Sequence, residues 1–370
     1  MAGHPITLAK LIKGYFETSD YWEYEKTLGN GSYGLAILLK QKGDLGERGL
    51  RIGQQRMAVK IALESAAQEL RAEIRWLKRL NGAKHIVRIL ASCDDVAEAS
   101  KDRRASSKRL ARRVQARFMR LLRVPPRTAF DSLAALQGPV LALEYLENGD
   151  MVDLLTKLHQ TEARIPNRIL WSMYLCLIRA CIGLAYPIGR PIGAPPITEA
   201  VPTDGTMPAT LIHNDIAARN IMLGAGDGMN EHSLGHIFKL IDFGAMRENP
   251  GIGWGPPSNL YDISRFISEC ITMSSASSLR VVYRGRETRA AHIMPHYGTR
   301  FFPWLDPGLS DLVSRCMYAN FYDRPSLKEA LDQASNAVLM KEPDSYPRPA
   351  EESDDAIKNF LQEYLYDASN

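Results

Sequence analysis

Leu28-Gly29-Asn30-Gly31-Ser32-Tyr33-Gly34 is a G-x-G-x-x-G run, and its surroundings decide how it is read. Glycines at this spacing permit a tight turn whose amides approach phosphate oxygens without a side-chain clash. In a dinucleotide-binding unit the motif would open a helix. Here the apolar run Ala36-Ile37-Leu38-Leu39 follows, and Met57-Ala58-Val59-Lys60 lies in the next apolar stretch. Residues 21–40 therefore read as strand, glycine turn, strand. Residues 41–55 read as an exposed hairpin connection, and Arg56 to Leu63 as the third strand. This arrangement suits a flap over phosphates and disfavours a dinucleotide site.

Lys60 has two readings. Its stem could cover apolar surface while the amine reaches water, or the amine could be held by a carboxylate and aimed at phosphate. Residues 65–80 supply the carboxylate. Leu70, Ile74, Leu77 and Leu80 make one apolar helical stripe. Glu73 is the preferred partner, with Glu69 one turn earlier as the alternative. Farther on come His213-Asn214-Asp215 with Asn220, then Asp242-Phe243-Gly244 after the apolar run ending at Ile241. Asp215 can orient a hydroxyl nucleophile and accept its proton, while the Asn220 amide oxygen and the Asp242 carboxylate can bind magnesium. Any one fragment occurs by chance; four in this order do not.

On these motifs the chain resembles a eukaryotic-type protein kinase over residues 20–340. The resemblance implies an α+β, two-lobed fold: a small antiparallel β-rich N-lobe with one main helix (20–145), and a larger, mainly helical C-lobe (146–340). It implies ATP and Mg2+, or Mn2+, as cofactors and a protein substrate. Gly29, Gly31 and Gly34 would form the phosphate loop, Lys60 and Glu73 the activating ion pair, and Asp215 the catalytic acid–base residue. Asn220 and Asp242 would be the metal ligands. Glu144-Tyr145-Leu146 resembles the adenine-binding hinge, with Leu143 as gatekeeper, and Ala58 and Met222 would sandwich the adenine ring. Leu77, Ile89, His213 and Phe243 would stack as a spine. Asp262 resembles the buried carboxylate that anchors the catalytic loop.

The departures are specific. Asn214 replaces the usual arginine before the catalytic Asp, which removes the cation that receives a loop phosphate. Residues 245–257 contain no Ser, Thr or Tyr. Both point to a kinase not switched by activation-loop phosphorylation. The Ala-Pro-Glu motif is missing, and Gly255-Pro256-Pro257-Ser258 lies near its place. Arg324, which resembles the partner of that missing glutamate, has no assignable partner in the sequence. Asp215-Ile216-Ala217-Ala218-Arg219-Asn220 resembles the tyrosine-kinase form, so Ser/Thr against Tyr acceptors stays open. Two alternatives belong to other classes: a small-molecule phosphotransferase on the same fold, and a nucleotide-binding pseudokinase scaffold.

Composition is that of an ordinary globular chain, 45% hydrophobic and 24% charged. The net charge of +4 is uneven: residues 101–127 carry eleven Lys or Arg and one Asp, so the rest holds 35 basic and 41 acidic residues. This argues against a general nucleic-acid binder. The basic insertion 101–127, with a helical apolar stripe and a basic-directed phosphorylation pattern at Ser106, suits a solvated helix or an acidic or phosphorylated partner. Residues 186–209 hold six prolines and read as a loop insertion. The tail 341–370 pairs an acidic start with an amphipathic helix through Ile357, Phe360, Leu361, Tyr364 and Leu365, expected to dock on the protein itself. No transmembrane segment and no secretory signal are expected. The five cysteines, odd in number and without a C-x-x-C pair, read as structural free thiols. Together these give an intracellular expectation, cytoplasmic or nuclear.

Overall fold

Alternating apolar residues build a five-stranded sheet near the N-terminus. In the computed structural model, residues 5–31, 34–42, 56–63, 66–93, 133, 136, 138–249, 254–274, 279–295 and 300–366 are described. The readings of 41–55 as a hairpin connection, beyond its first two residues, and of 101–127 as a helix lie outside them. The chain divides into two units, Met1–Lys78 with Arg88–Tyr145 and Pro191–Gly193, and Arg79–Val87 with Leu146–Arg190 and Ala194–Asn370.

The first unit contains β1 (Trp22–Gly31), β2 (Gly34–Gln41), β3 (Arg56–Ala62), β4 (Ile89–Cys93) and β5 (Val140–Glu144), in the order β1-β2-β3-β5-β4. Every neighbouring pair is antiparallel. Successive side chains in a strand face opposite ways. Leu35, Ile37 and Leu39 of β2 lie beside Ile61, Val59 and Met57 of β3 and share one buried cluster with Trp22. Helix α1 (Pro5–Glu17) adds Ile12 and Phe16 to that cluster. The sequence reading began the domain at residue 20 and missed this helix. The opposite parity holds Ala58 and Lys60. Gly29, Ala36, Lys60 and Leu141 then form one row across four strands, and Leu38, Ala58 and Leu143 form another.

Helix α2 (Ala67–Leu80) buries Leu70, Ile74, Leu77 and Leu80, as its spacing requires, and Glu73 with them. The apolar run that starts at Ile86 enters β4 only at Ile89. Ile86 bridges to Leu240, and the Val87 N–H donates to the Leu240 carbonyl, so Arg79–Val87 belong to the second unit.

The second unit is largely helical: α3 (Met151–Thr161), α4 (Asn167–Ala185), α5 (Gly255–Thr272), α6 (Pro307–Cys316), α7 (Leu327–Met340) and α8 (Asp354–Leu361). All of α4 except Arg168 and Arg179 is buried. Among the described residues it alone is long and apolar enough to cross a membrane, and it is packed inside this unit. Three strand pairs complete the unit: β6 (Leu211–Ile212) with β9 (Arg247–Glu248), β7 (Ile221–Ala225) with β8 (His236–Leu240), and β10 (Val281–Tyr283) with β11 (Arg286–Thr288). The last pair interrupts a stretch read as mainly helical.

The tail docks on this unit and completes α4. Pro166 precedes α4 and gives no side-chain cap. Glu352, itself buried, instead accepts from the N–H of Asn167 at 2.8 Å, the Asn167 side-chain amide at 2.8 Å and the Arg168 N–H at 3.0 Å. A carboxylate there satisfies orphan amides and favours the helix dipole. Ile357, Phe360, Leu361 and Leu365 are buried behind it. Glu352→Gln should therefore destabilise the protein by about 2 kcal/mol. Urea unfolding checks this against Glu363→Gln, at an exposed tail position, which should leave the midpoint unchanged. Equal midpoints for both variants would contradict the capping role.

Candidate functional site

The expected site residues divide between the units: Gly29, Gly31, Gly34, Ala58, Lys60, Glu73 and Glu144 in the first, and Leu146, Asp215, Asn220, Met222 and Asp242 in the second.

In the first unit the β1–β2 turn depends on Gly34. Its φ is +147°, and a Cβ there would lie 2.3 Å from the Ile61 carbonyl oxygen, so no side chain fits. Gly29 faces open space and sits in the same cross-strand row as Lys60. Lys60 Nζ donates to Glu73 Oε1 at 2.7 Å, with the Glu73 side chain 5% exposed and that of Lys60 27%. The helical stripe that buries Leu70, Ile74 and Leu77 carries Glu73 inward. Glu69, the other candidate, is exposed. A buried carboxylate of this kind is costly without a cation, which makes the lysine ammonium a fixed rather than a wandering charge. Glu144 spends its backbone N–H on the Arg88 carbonyl at 3.0 Å and one carboxylate oxygen on the Arg88 N–H at 2.8 Å.

In the second unit Asp215, Asn220 and Asp242 are tied together by backbone and side-chain bonds. Asn220 Nδ2 donates to Asp215 Oδ2 and to the Asp215 carbonyl, both at 2.8 Å. Arg219, on the exposed side, pairs with Asp215 Oδ1. The amide hydrogens of Asn220 are thus used, and its oxygen is the end left for a cation. β7 begins at Ile221 opposite Leu240, and the Ile241 N–H donates to the Asn220 carbonyl at 2.9 Å. That places Asp242 beside Asn220 at one end of the hairpin. Asp242 adopts φ +62°, and its Oδ1 accepts from the Gly244 N–H at 3.4 Å. Amide and carboxylate oxygens are the donor types a hard divalent cation takes, so the residues fit Mg2+. Met222, in β7, is half-buried and bridges to Asp150 at the start of α3, while Leu146 is buried against Gly224.

His213 is fully buried and tied to its surroundings through several atoms. Its N–H donates to Asn259 Oδ1 at 3.0 Å, its Nε2 lies 3.1 Å from the Ile241 carbonyl, and its Nδ1 lies 3.3 Å from the Asp215 N–H. The carbonyl contact requires the Nε2–H tautomer, which leaves Nδ1 to accept from Asp215. Its ring meets Phe243 edge to face with centroids 4.9 Å apart.

Two residues differ from the sequence reading. The helix anchor of this loop is Asn259, not Asp262. Asn259 accepts from His213 and donates to the Leu211 carbonyl at 2.8 Å. Asp262 lies three residues on, where burial pushes its carboxyl up against the pull of Arg265 and Arg324. Arg324 has partners after all. It donates to the carbonyls of Pro257 at 2.8 Å and Tyr318 at 2.9 Å and lies over the Tyr261 ring at 4.6 Å. A backbone carbonyl thus occupies the place expected of a glutamate.

Asn214 sits at φ +63°, a conformation asparagine tolerates better than most residues. Its Nδ2 donates to the Ala245 carbonyl at 3.1 Å. With the β6–β9 pairing, the bond from the Asn249 N–H to the Thr210 carbonyl at 3.0 Å and the Arg79–Glu248 ion pair at 3.5 Å, it pins residues 245–249. No protein-family model matches this chain, and no curated protein matches it.

Proposed function

We propose that this chain is an ATP-dependent protein kinase built on a two-lobed, kinase-like fold. The observation that carries the reading is the hairpin-end cluster of Asp215, Asn220 and Asp242, held together by His213. The Lys60–Glu73 pair at 2.7 Å supports it from the other unit.

Phosphoryl transfer needs positioned phosphates, neutralised charge and an oriented acceptor more than it needs covalent chemistry. In this reading Lys60, steadied by Glu73, donates to phosphate oxygens, and the turn ending at Gly34 covers them. Asp215 accepts the proton of the acceptor hydroxyl. Asn220 fixes one of its carboxylate oxygens and Arg219 the other, so its orientation is set before substrate arrives. Asn220 and Asp242 would hold magnesium, which supplies charge neutralisation on the phosphates. The acceptor is a protein hydroxyl, Ser/Thr or Tyr.

Arg324 bonded to the Pro257 carbonyl, in place of a glutamate, favours one second reading: a small-molecule acceptor. A parallel screen of protein and metabolite acceptors with radiolabelled ATP decides between them. Protein labelling is expected, and labelling of metabolites alone would reverse the ranking. Turnover of neither, with ATP still bound, would leave a nucleotide-binding scaffold. Asp215→Asn should lower the transfer rate by at least about 100-fold, and an unchanged rate would remove Asp215 from the chemistry.

Activity should also be independent of phosphate on residues 245–261. Residues 245–249 are pinned by Asn214 and by backbone pairing, and residues 245–257 carry no hydroxyl acceptor. Phosphatase treatment of mass-characterised, active protein should leave the rate unchanged. Loss of activity matching removal of a phosphate at Ser258 or Tyr261 would contradict this.

A further inference from the structure

Away from these groups, the second unit buries a second set of polar side chains. His85, Cys176 and His232 are each at most 1% exposed, and one ligand atom from each lies within 4.8 Å of the others. His85 comes from the turn after α2, Cys176 from the middle of α4, and His232 from the short helical turn Asn230–His232. The two imidazoles face each other, with Nε2 to Nε2 at 3.0 Å.

Their far sides face carboxylates. His85 Nδ1 lies 2.6 Å from Glu199 Oε2, and Glu199 is itself buried. His232 Nδ1 lies 3.6 Å from Asp227, which Lys84 holds at 2.6 Å. Glu199 on Nδ1 of His85 fixes that tautomer with the proton there and turns a bare Nε2 lone pair inward. At 3.0 Å from Nε2 of His232, that lone pair takes either a proton or a cation between the two rings.

A shared proton would satisfy the two rings, and Cys176 hydrogen-bonds to both of them, but one group stays unexplained. Glu231 Oε1, 3.9 Å from His85 Nε2, is buried with no hydrogen-bond partner, although its Oε2 pairs with Arg179 at 2.9 Å. An orphaned buried carboxylate oxygen is expensive, and a metal ion would satisfy it.

We propose that His85, Cys176, His232 and Glu231 form a structural zinc site, with Glu199 as the hydrogen-bonding support of His85. Two imidazoles, a thiolate and a carboxylate suit Zn2+. Zinc–nitrogen bonds of about 2.0–2.1 Å place two tetrahedral ligand nitrogens about 3.3 Å apart, close to the separation of the two rings. Burial of all three core ligands leaves no open position for substrate, so the role is structural. The ion joins the turn before β4, the core helix α4 and the loop between β7 and β8. It also gives a role to the proline-rich stretch 186–209, which delivers Glu199.

The test uses the full chain, purified under reducing conditions without added metal. Elemental analysis is expected to find one zinc per chain. After chelation, Co2+ should restore stoichiometric binding with thiolate-to-cobalt charge-transfer absorption, which a magnesium site of oxygen ligands cannot give. Cys176→Ser and His232→Gln should lose that absorption, while Cys270→Ser, at a buried thiol outside the cluster, should keep it. Glu199→Gln should weaken affinity about 10–100-fold. No cobalt–thiolate band in the wild-type chain, or a band that survives Cys176→Ser, would overturn the proposal. Should both ligand variants fail to fold by circular dichroism, the wild-type cobalt spectrum together with the Glu199→Gln affinity decides it.

Discussion

A single buried imidazole organises the groups of the second unit. His213 meets the helix through Asn259, the approach to Asp242 through the Ile241 carbonyl, and Asp215 through its own Nδ1. Each contact uses a different atom, so one tautomer satisfies all three. A fully buried side chain with its polar atoms committed is worth most as a unit, since loss of one partner strands another. The acidic groups on either side are therefore held at one end of the β7–β8 hairpin before anything binds. Lys60 and Glu73 do the corresponding work in the first unit, where the sheet's alternation and the helix's apolar stripe bring opposite charges together.

Much of this was legible in the sequence because it rests on local pattern. The apolar runs 36–39 and 57–59 mark β2 and β3, while which of their residues face the shared core follows from the pairing. Helical spacing turns Glu73 inward and Glu69 outward. What was not legible depends on partners far along the chain. Ile86 and Val87 look like the start of a strand, yet they pair with Leu240, and an apolar run does not reveal which neighbour it meets. In α1, Ile12 and Phe16 are buried in the shared core with Ala9 and Tyr15 packed against it, too short a pattern to distinguish a helix from an N-terminal extension. Asn259 and Asp262 lie nearly one turn apart on α5, and residue type alone favoured the carboxylate. The geometry favours the amide, which can accept from His213 and donate to Leu211 at once.

The stretch read as a loop, 186–209, and the connection between β7 and β8 carry more order than their composition suggests. Ile197 bridges to Ala83, Glu199 binds the backbone and ring of His85, and Glu231 and His232 reach the same buried spot. No spacing rule links residues 85, 176, 199, 231 and 232, so five scattered residues read as unrelated until the fold gathers them. The tail behaves similarly. Its docking was expected, but spacing does not reveal that Glu352 of its acidic start turns inward to complete the N-terminus of α4.

The proposed function turns on the binding of a magnesium-bound nucleotide. Calorimetric titration of a non-hydrolysable ATP analogue, with and without Mg2+, measures this without requiring a known acceptor. Tight binding that depends on magnesium is expected for the wild-type chain. Lys60→Met, in the first unit, and Asp242→Asn, in the second, should each weaken it about tenfold or more. Wild-type affinity retained in both variants, or no nucleotide binding at all, would contradict the account.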